Sequence, residues 1–199
     1  MDTVERLVWS HQIRRCADQL RRDADGVALS RLFDMTAPRL LRYACTVTRH
    51  RQDAEDALQS AMVRLALAPL RVAEAWHPWA YLLRMVRNEA LQIGRRRKGW
   101  SLLGAADAAP ALAISSSDGS TEQAQLEQRE LQASVKEALA RLPPEQAEVL
   151  VLKMWEQLTF EEIADVLEQS PNTVASRYRY AIRKLAIELR PLAEEHHVR

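Results

Sequence analysis

The stretch Thr159–Leu185, TFEEIADVLEQSPNTVASRYRYAIRKL, limits what this chain can fold into more than any other. Thr159 and Glu162 have capping-box spacing: the hydroxyl accepts from the Glu162 N–H, and the carboxylate reaches back to the N–H of Thr159. A helix begins there. Its apolar positions Phe160, Ile163, Ala164 and Leu167 fall on one stripe, leaving Glu161, Glu162, Asp165 and Glu168 to water. Ser170 followed by Pro171 then pairs an N-cap with a proline at the first helical position, where its missing N–H does no harm. A second helix therefore follows after a very short turn. Val174, Tyr178, Ala181, Ile182 and Leu185 repeat at helical spacing and are expected to pack on the first helix. The opposite face carries Asn172, Ala175, Ser176, Arg179, Tyr180 and Arg183, an uncharged start followed by hydroxyl and guanidinium groups. That order suits a helix whose first turns enter the major groove while later ones grip phosphates.

Composition permits this and narrows the rest. A chain of 199 residues accommodates one or two domains, and with 47% hydrophobic residues and only 5 Gly it reads as all-α. The formal net charge is +1, so any contact with nucleic acid rests on local clustering. Cys16 and Cys45 have no companions at metal-ligand spacing and read as reduced structural thiols; no metal or cofactor is expected. No apolar run approaches membrane-spanning length, and the charged start MDTVERLVWSHQIRR does not resemble a secretory signal, so a cytoplasmic location is expected.

Residues 1–27 read as a helical N-terminal extension with no assigned role, Trp9 as an anchoring aromatic and His11 as a surface residue. Residues 28–100 form a first domain, with Pro38 starting or kinking a helix. In RQDAEDALQSAMVRLAL, Ala54, Ala57, Leu58, Ala61, Met62 and Leu65 face inward and Asp53, Glu55, Asp56, Gln59 and Ser60 outward; on residues alone the acids are a complement to the helix dipole. Ala68–His77 reads as a loop. After Pro78, Leu82, Leu83, Val86, Ala90 and Ile93 make a buried stripe, while Arg84, Arg87, Asn88, Gln92, Arg95, Arg96, Arg97 and Lys98 face a single acid, Glu89. Trp76, Trp79, Tyr81 and Trp100 flank this cluster, and cations with flat rings are what separated strands require. Residues 101–121 lack Lys and Arg, are rich in Ala and Ser, and read as a flexible linker. Residues 122–190 form a second helical domain, with a capping box over Ser120–Gln123, a helix carrying Leu126, Leu131, Val135 and Leu139, and a further helix burying Ala147, Leu150, Val151 and Met154. The tail is 191–199.

The residues from Leu142 and Pro143 through Glu156, Thr159, Glu162, Ser170, Thr173, Val174, Ser176, Arg177 and Leu185 resemble the C-terminal DNA-binding domain of bacterial sigma factors. Asp53, Ala54, Glu55, Asp56 and Gln59, with Pro78, Arg87, Asn88 and Arg95, resemble their N-terminal domain. Two domains with only a linker between them look like the extracytoplasmic-function (ECF) group. The resemblance implies a sigma factor that binds RNA polymerase core, recognises promoter DNA, directs initiation and catalyses nothing itself; an anti-sigma protein is a further partner that the family admits. Asp53, Glu55, Asp56 and Gln59 would dock on the polymerase. Arg84, Arg87, Asn88, Gln92, Arg95 and Arg96 would meet the downstream promoter element, and the loop before Pro78 would hold a flipped base. Asn172, Thr173, Ala175, Ser176, Arg177, Arg179, Tyr180 and Arg183 would read the upstream element. Gln157 stands where the family usually has Gly, Asn172 likewise, and Ala175 replaces a basic residue. Two other readings of the residues are a dimeric helix-turn-helix regulator with a helical sensing domain and a sigma-like adaptor without promoter activity; the first requires two-fold symmetric operators.

Overall fold

The computed structural model describes residues 3–22, 26–100, 134–135 and 137–190, with the side chains of 3–7 and 98–100 left aside. The expected linker at 101–121, the capping box at Ser120–Gln123, the positions Leu126 and Leu131, and the tail 191–199 lie outside the described residues. Every regular element among the described residues is helical: α1 (Thr3–Leu20), α2 (Val27–Thr48), α3 (Arg51–Leu67), α4 (Leu70–Glu74), α5 (Pro78–Trp100), α6 (137–141), α7 (Pro144–Met154), α8 (Phe160–Leu167) and α9 (Pro171–Glu188).

The first module forms where α2, α3 and α5 pack on one another. Leu32, Thr36, Leu40 and Tyr43 make the buried stripe of α2, with the Thr36 hydroxyl turned inward to donate to the Leu32 carbonyl at 2.6 Å. Pro38 sits on the exposed side of α2, so the helix runs on through it and the carbonyl it deprives is left near water. α3 presents Ala54, Ala57 and Ala61, small enough for its neighbours to approach closely; its N-cap is His50, whose Nδ1 accepts from the Asp53 N–H at 3.3 Å. The segment before Pro78, read as a loop, contains the short α4, which buries Val72 and Ala73. α1 lies against α2, α4 and α5 through Ile13, Cys16, Ala17 and Leu20, so the N-terminal extension is part of this core.

In the second module α8 and α9 form the expected helix-turn-helix. Thr159 and Glu162 make both arms of the capping box, at 3.1 and 2.6 Å, and the Ser170 hydroxyl accepts from the Thr173 N–H at 3.1 Å. Val174 and Ala181 are buried on α9, but Ile182 is 39% exposed, a departure from the expected stripe. Met154, expected inside, is 54% exposed at the end of α7. α7 is instead buried almost all round, at Ala147, Glu148, Val149, Leu150, Val151 and Leu152, because it is enclosed between α9 on one side and α2 on the other.

The two modules share a seam along α2–α7 and α5–α8, and apolar residues of both belong to one continuous core. Two carboxylates lie in it. Glu148 accepts from the Tyr43 hydroxyl and from Arg87 Nε, both at 2.8 Å. Glu156, 2% exposed, accepts from Arg39 Nε at 2.9 Å and faces Arg42 at 3.5 Å. Burial pushes the Glu156 carboxyl above the usual carboxylate range, while Arg39 and Arg42 draw it back. Arg49 adds a bond to the Leu142 carbonyl at 3.1 Å, and His77 Nδ1 lies 3.2 Å from the Glu162 carboxylate.

Between α7 and α8 the chain turns through Gln157 at φ 54°, a left-handed conformation that crowds any Cβ. This explains why glycine suits the position. Gln157→Gly is expected to stabilise the fold by ~1 kcal/mol, since a glycine loses the Cβ strain and regains only part of it as chain entropy. Urea denaturation checks this: the midpoint should rise at unchanged slope.

Candidate nucleic-acid interface

Three surfaces collect the residues singled out from the sequence. On α9, the buried side formed by Val174 and Ala181 turns Asn172, Arg179, Tyr180 and Arg183 outward. Ser176, Arg179, Tyr180 and Arg183 line one shallow depression, in which Arg179 Nη2 donates to the Ser176 hydroxyl at 3.2 Å and Tyr180 is 59% exposed. Ala175 lies half-buried beside them. Thr173 is engaged in the N-cap, and Arg177 pairs with Glu145 at 2.6 Å, tying α9 to α7. The strip therefore divides into a presented set and a set that fixes the helix.

On α5, two adjoining clefts share Arg71, Tyr81 and Arg84. One extends to Arg64, Met85, Asn88 and Glu89, the other to Trp76, His77 and Ala80. The Arg84 guanidinium lies over the Tyr81 ring, 5.6 Å from its centroid. Glu89 is buried and paired with Arg64 at 2.7 Å, while Glu74, 3.9 Å from Arg21, and Asp165 of α8 line the cleft that holds Trp76. Arg95 and Arg96 are exposed further along, and Gln92 is half-buried. Arg87 does not face this groove freely, because Glu148 of the second module holds it. Trp79 is buried edge-on against Trp9, with ring centroids 5.8 Å apart, which removes it from the expected aromatic platform and leaves, among the described side chains, Trp76 and Tyr81.

On α3, Asp56 and Gln59 are exposed, and Glu55 pairs with Arg51 on the same helix at 2.8 Å. Asp53 is tied down by Arg97 at 2.8 Å and lies 3.4 Å from His50. The outward charge of this helix start is thus concentrated on Asp56, with Glu55 beside it in an exposed pair. Among the described residues no group of three or more His, Cys, Asp or Glu is placed to hold a metal ion, and no helix is long and apolar enough to cross a membrane. Both cysteines are buried and unpaired, and burial pushes their thiols up.

Sequence reasoning missed the seam residues Arg39, Arg42, Tyr43, Glu148 and Glu156. The available signal was Glu148 itself, a charge amid the apolar run Ala147–Leu152, which demands a partner but does not say which.

Family models for Sigma-70 region 2 and Sigma-70, region 4 match residues 32–101 and 132–185. An RNA polymerase sigma-E factor of Streptomyces avermitilis is 34% identical over 157 residues, covering 75% of this chain and 78% of that protein. The ECF RNA polymerase sigma factor SigL of Mycobacterium tuberculosis is 27% identical over 175 residues, 85% of this chain and 93% of that one. Among solved structures, the sigma factor RpoE in complex with the anti-sigma factor NepR from Bartonella quintana aligns with a TM-score of 0.65 at 20% identity, over 81% of this chain and 96% of that one. CnrH in complex with the cytosolic domain of CnrY aligns at 0.59 and 22%, over 90% and 98%; both likenesses bear on the fold.

A helix-turn-helix module joined to a cationic, aromatic helical module is the architecture of a promoter-recognition subunit. The chain belongs to the sigma-70 family of RNA polymerase sigma factors, in the extracytoplasmic-function group, and its function is to direct transcription initiation.

Because Glu148 joins Tyr43 and Arg87 across the seam, Glu148→Ala leaves a half-buried cation without its counter-charge, which is expected to cost ~2 kcal/mol of module docking. Small-angle scattering should report a larger radius of gyration at unchanged helical content by circular dichroism. A radius equal to wild type would mean that the pair does not hold the halves together.

Proposed function

We propose that the three surfaces divide the work of initiation. The presented strip of α9, Asn172, Ser176, Arg179, Tyr180 and Arg183, enters the major groove of the upstream element, with Thr173 and Arg177 setting the helix from behind. The α5 groove, with Arg84 and Asn88 near the loop and Gln92, Arg95 and Arg96 beyond, takes the separated strand of the downstream element. Asp56 and Gln59, with Glu55 and Asp53 beside them, dock on a basic surface of the polymerase. The protein works in the cytoplasm and supplies binding energy rather than chemistry. An anti-sigma protein is a partner of the kind bound by the Bartonella quintana sigma factor.

The observation that carries this reading is the pairing of two unlike nucleic-acid surfaces in one chain: a helix face fit for a duplex groove, and a cleft lined by arginines and rings fit for unpaired bases. A dimeric repressor needs only the first. Under this reading Arg87 exchanges the Glu148 carboxylate for a promoter phosphate when the modules separate, since both partners offer it the same charge-assisted bonds.

Arg179→Ala is expected to weaken discrimination among upstream-element variants by about 1–3 kcal/mol while leaving polymerase association unchanged. Competition binding of the holoenzyme to promoter variants measures this; equal preference across variants in mutant and wild type rejects the assignment. Asp56→Lys is expected to reduce association with core polymerase without disturbing the fold, because an exposed helical site has no buried partner to lose. A pull-down at wild-type yield would remove α3 from the interface.

A further inference from the structure

α1 has no part in the surfaces just described, yet it touches the one loop among them whose geometry matters most. The Arg14 guanidinium bridges two successive carbonyls where α4 ends: Nη1 donates to Ala75 at 2.9 Å and Nη2 to Trp76. Below it, Trp9 meets Trp79 edge-on, and the Arg39 guanidinium lies 4.6 Å from the Trp9 ring and 5.1 Å from the Trp79 ring. The start of α5 is thereby fixed from the same side. A planar fork holding two adjacent carbonyls sets both peptide planes, which a single bond does not.

What these contacts fix is the stem of Trp76. Trp76 is 85% exposed, the most exposed large apolar residue among the described residues, and the His77 ring lies near it at an interplanar angle of 80°, with ring centroids 6.2 Å apart. It borders the cleft that also holds Arg71, Tyr81 and Arg84, together with Glu74 and Asp165. A large ring left in water on a pinned backbone offers its face to a flat partner, and only its own side-chain torsions remain to be ordered when one arrives.

We propose that α1 is a working part of strand capture, in which Arg14 is a positioning residue that holds the 75–77 backbone so that the Trp76 indole stacks on an unpaired base of the opened promoter. This rests on the assignment of the α5 groove to separated strands. The ligand is a single-stranded nucleobase, and the energy of the stack offsets part of the cost of unpairing it.

The test uses the full chain bound to core polymerase, with promoter opening followed by permanganate reactivity of unpaired thymines. Arg14→Gln and Trp76→Ala should each lower opening of duplex promoter by about tenfold or more, the loss expected for one base–aromatic stack, whereas Trp76→Phe should retain most of it. Thermal midpoints and polymerase association should stay at wild-type values. On a template already mismatched across the opened segment, Arg14→Gln should initiate as wild type does, since unpairing is no longer required. Wild-type opening by either Arg14→Gln or Trp76→Ala would overturn the proposal. So would an Arg14→Gln defect that persists undiminished on the mismatched template, which would place Arg14 in polymerase docking or in stability. If the unaltered protein opened no promoter at all, the groove assignment itself would fall.

Discussion

Two carboxylates with almost no access to water govern how this molecule is put together. Removing a carboxylate from solvent is unfavourable unless cations and donors replace the lost hydration. Glu148 and Glu156 both lie on or just after α7, and the groups that satisfy them, Tyr43 and Arg87 for one and Arg39 and Arg42 for the other, all belong to the first module. The register of α7 against α2 and α5 is therefore not negotiable: a shift of one turn would separate each acid from its partners. Apolar contacts from Val149, Val151 and Leu152 supply most of the favourable burial, and the ion pairs choose the geometry.

The same chemistry makes the seam separable. Opening a purely apolar interface exposes surface that water accepts poorly, whereas separated carboxylates and guanidinium groups regain full hydration. Arg87 is the clearest case. Its guanidinium is held between modules in the closed arrangement, and its position on α5 is one that a promoter-binding subunit would present to phosphate. Glu148 occupies it with a negative oxygen at 2.8 Å, so under the proposed function the closed state competes with promoter phosphate for one cation.

Much of this was legible in the sequence, and the boundary of legibility is physical. The capping box at Thr159 and Glu162, the Ser170–Pro171 start and the small-residue face of α3 are local patterns, decided within a turn or two of chain, and they stand in the structure as read. Met154 and Ile182 were misplaced because periodicity assigns a face without saying where the neighbouring element ends. Trp79 was read as a platform for bases because an aromatic next to arginines looks the same whether it faces solvent or Trp9. The partners of Glu148 lie 61 and 105 residues away, a separation at which one sequence carries no pairing signal.

Arg39 connects the seam to the loop. Its guanidinium is bonded to Glu156 and lies near both Trp9 and Trp79. Glu156 reaches it from the second module, and the two rings reach it from α1 and α5. Glu156 belongs to the second module and both rings to the first, so the hold of α1 on the start of α5 does not rest on the acid. The brace behind Trp76 thus depends on contacts internal to the first module, Arg14 to the loop carbonyls and Trp9 to Trp79, and would outlast the exchange proposed for Arg87.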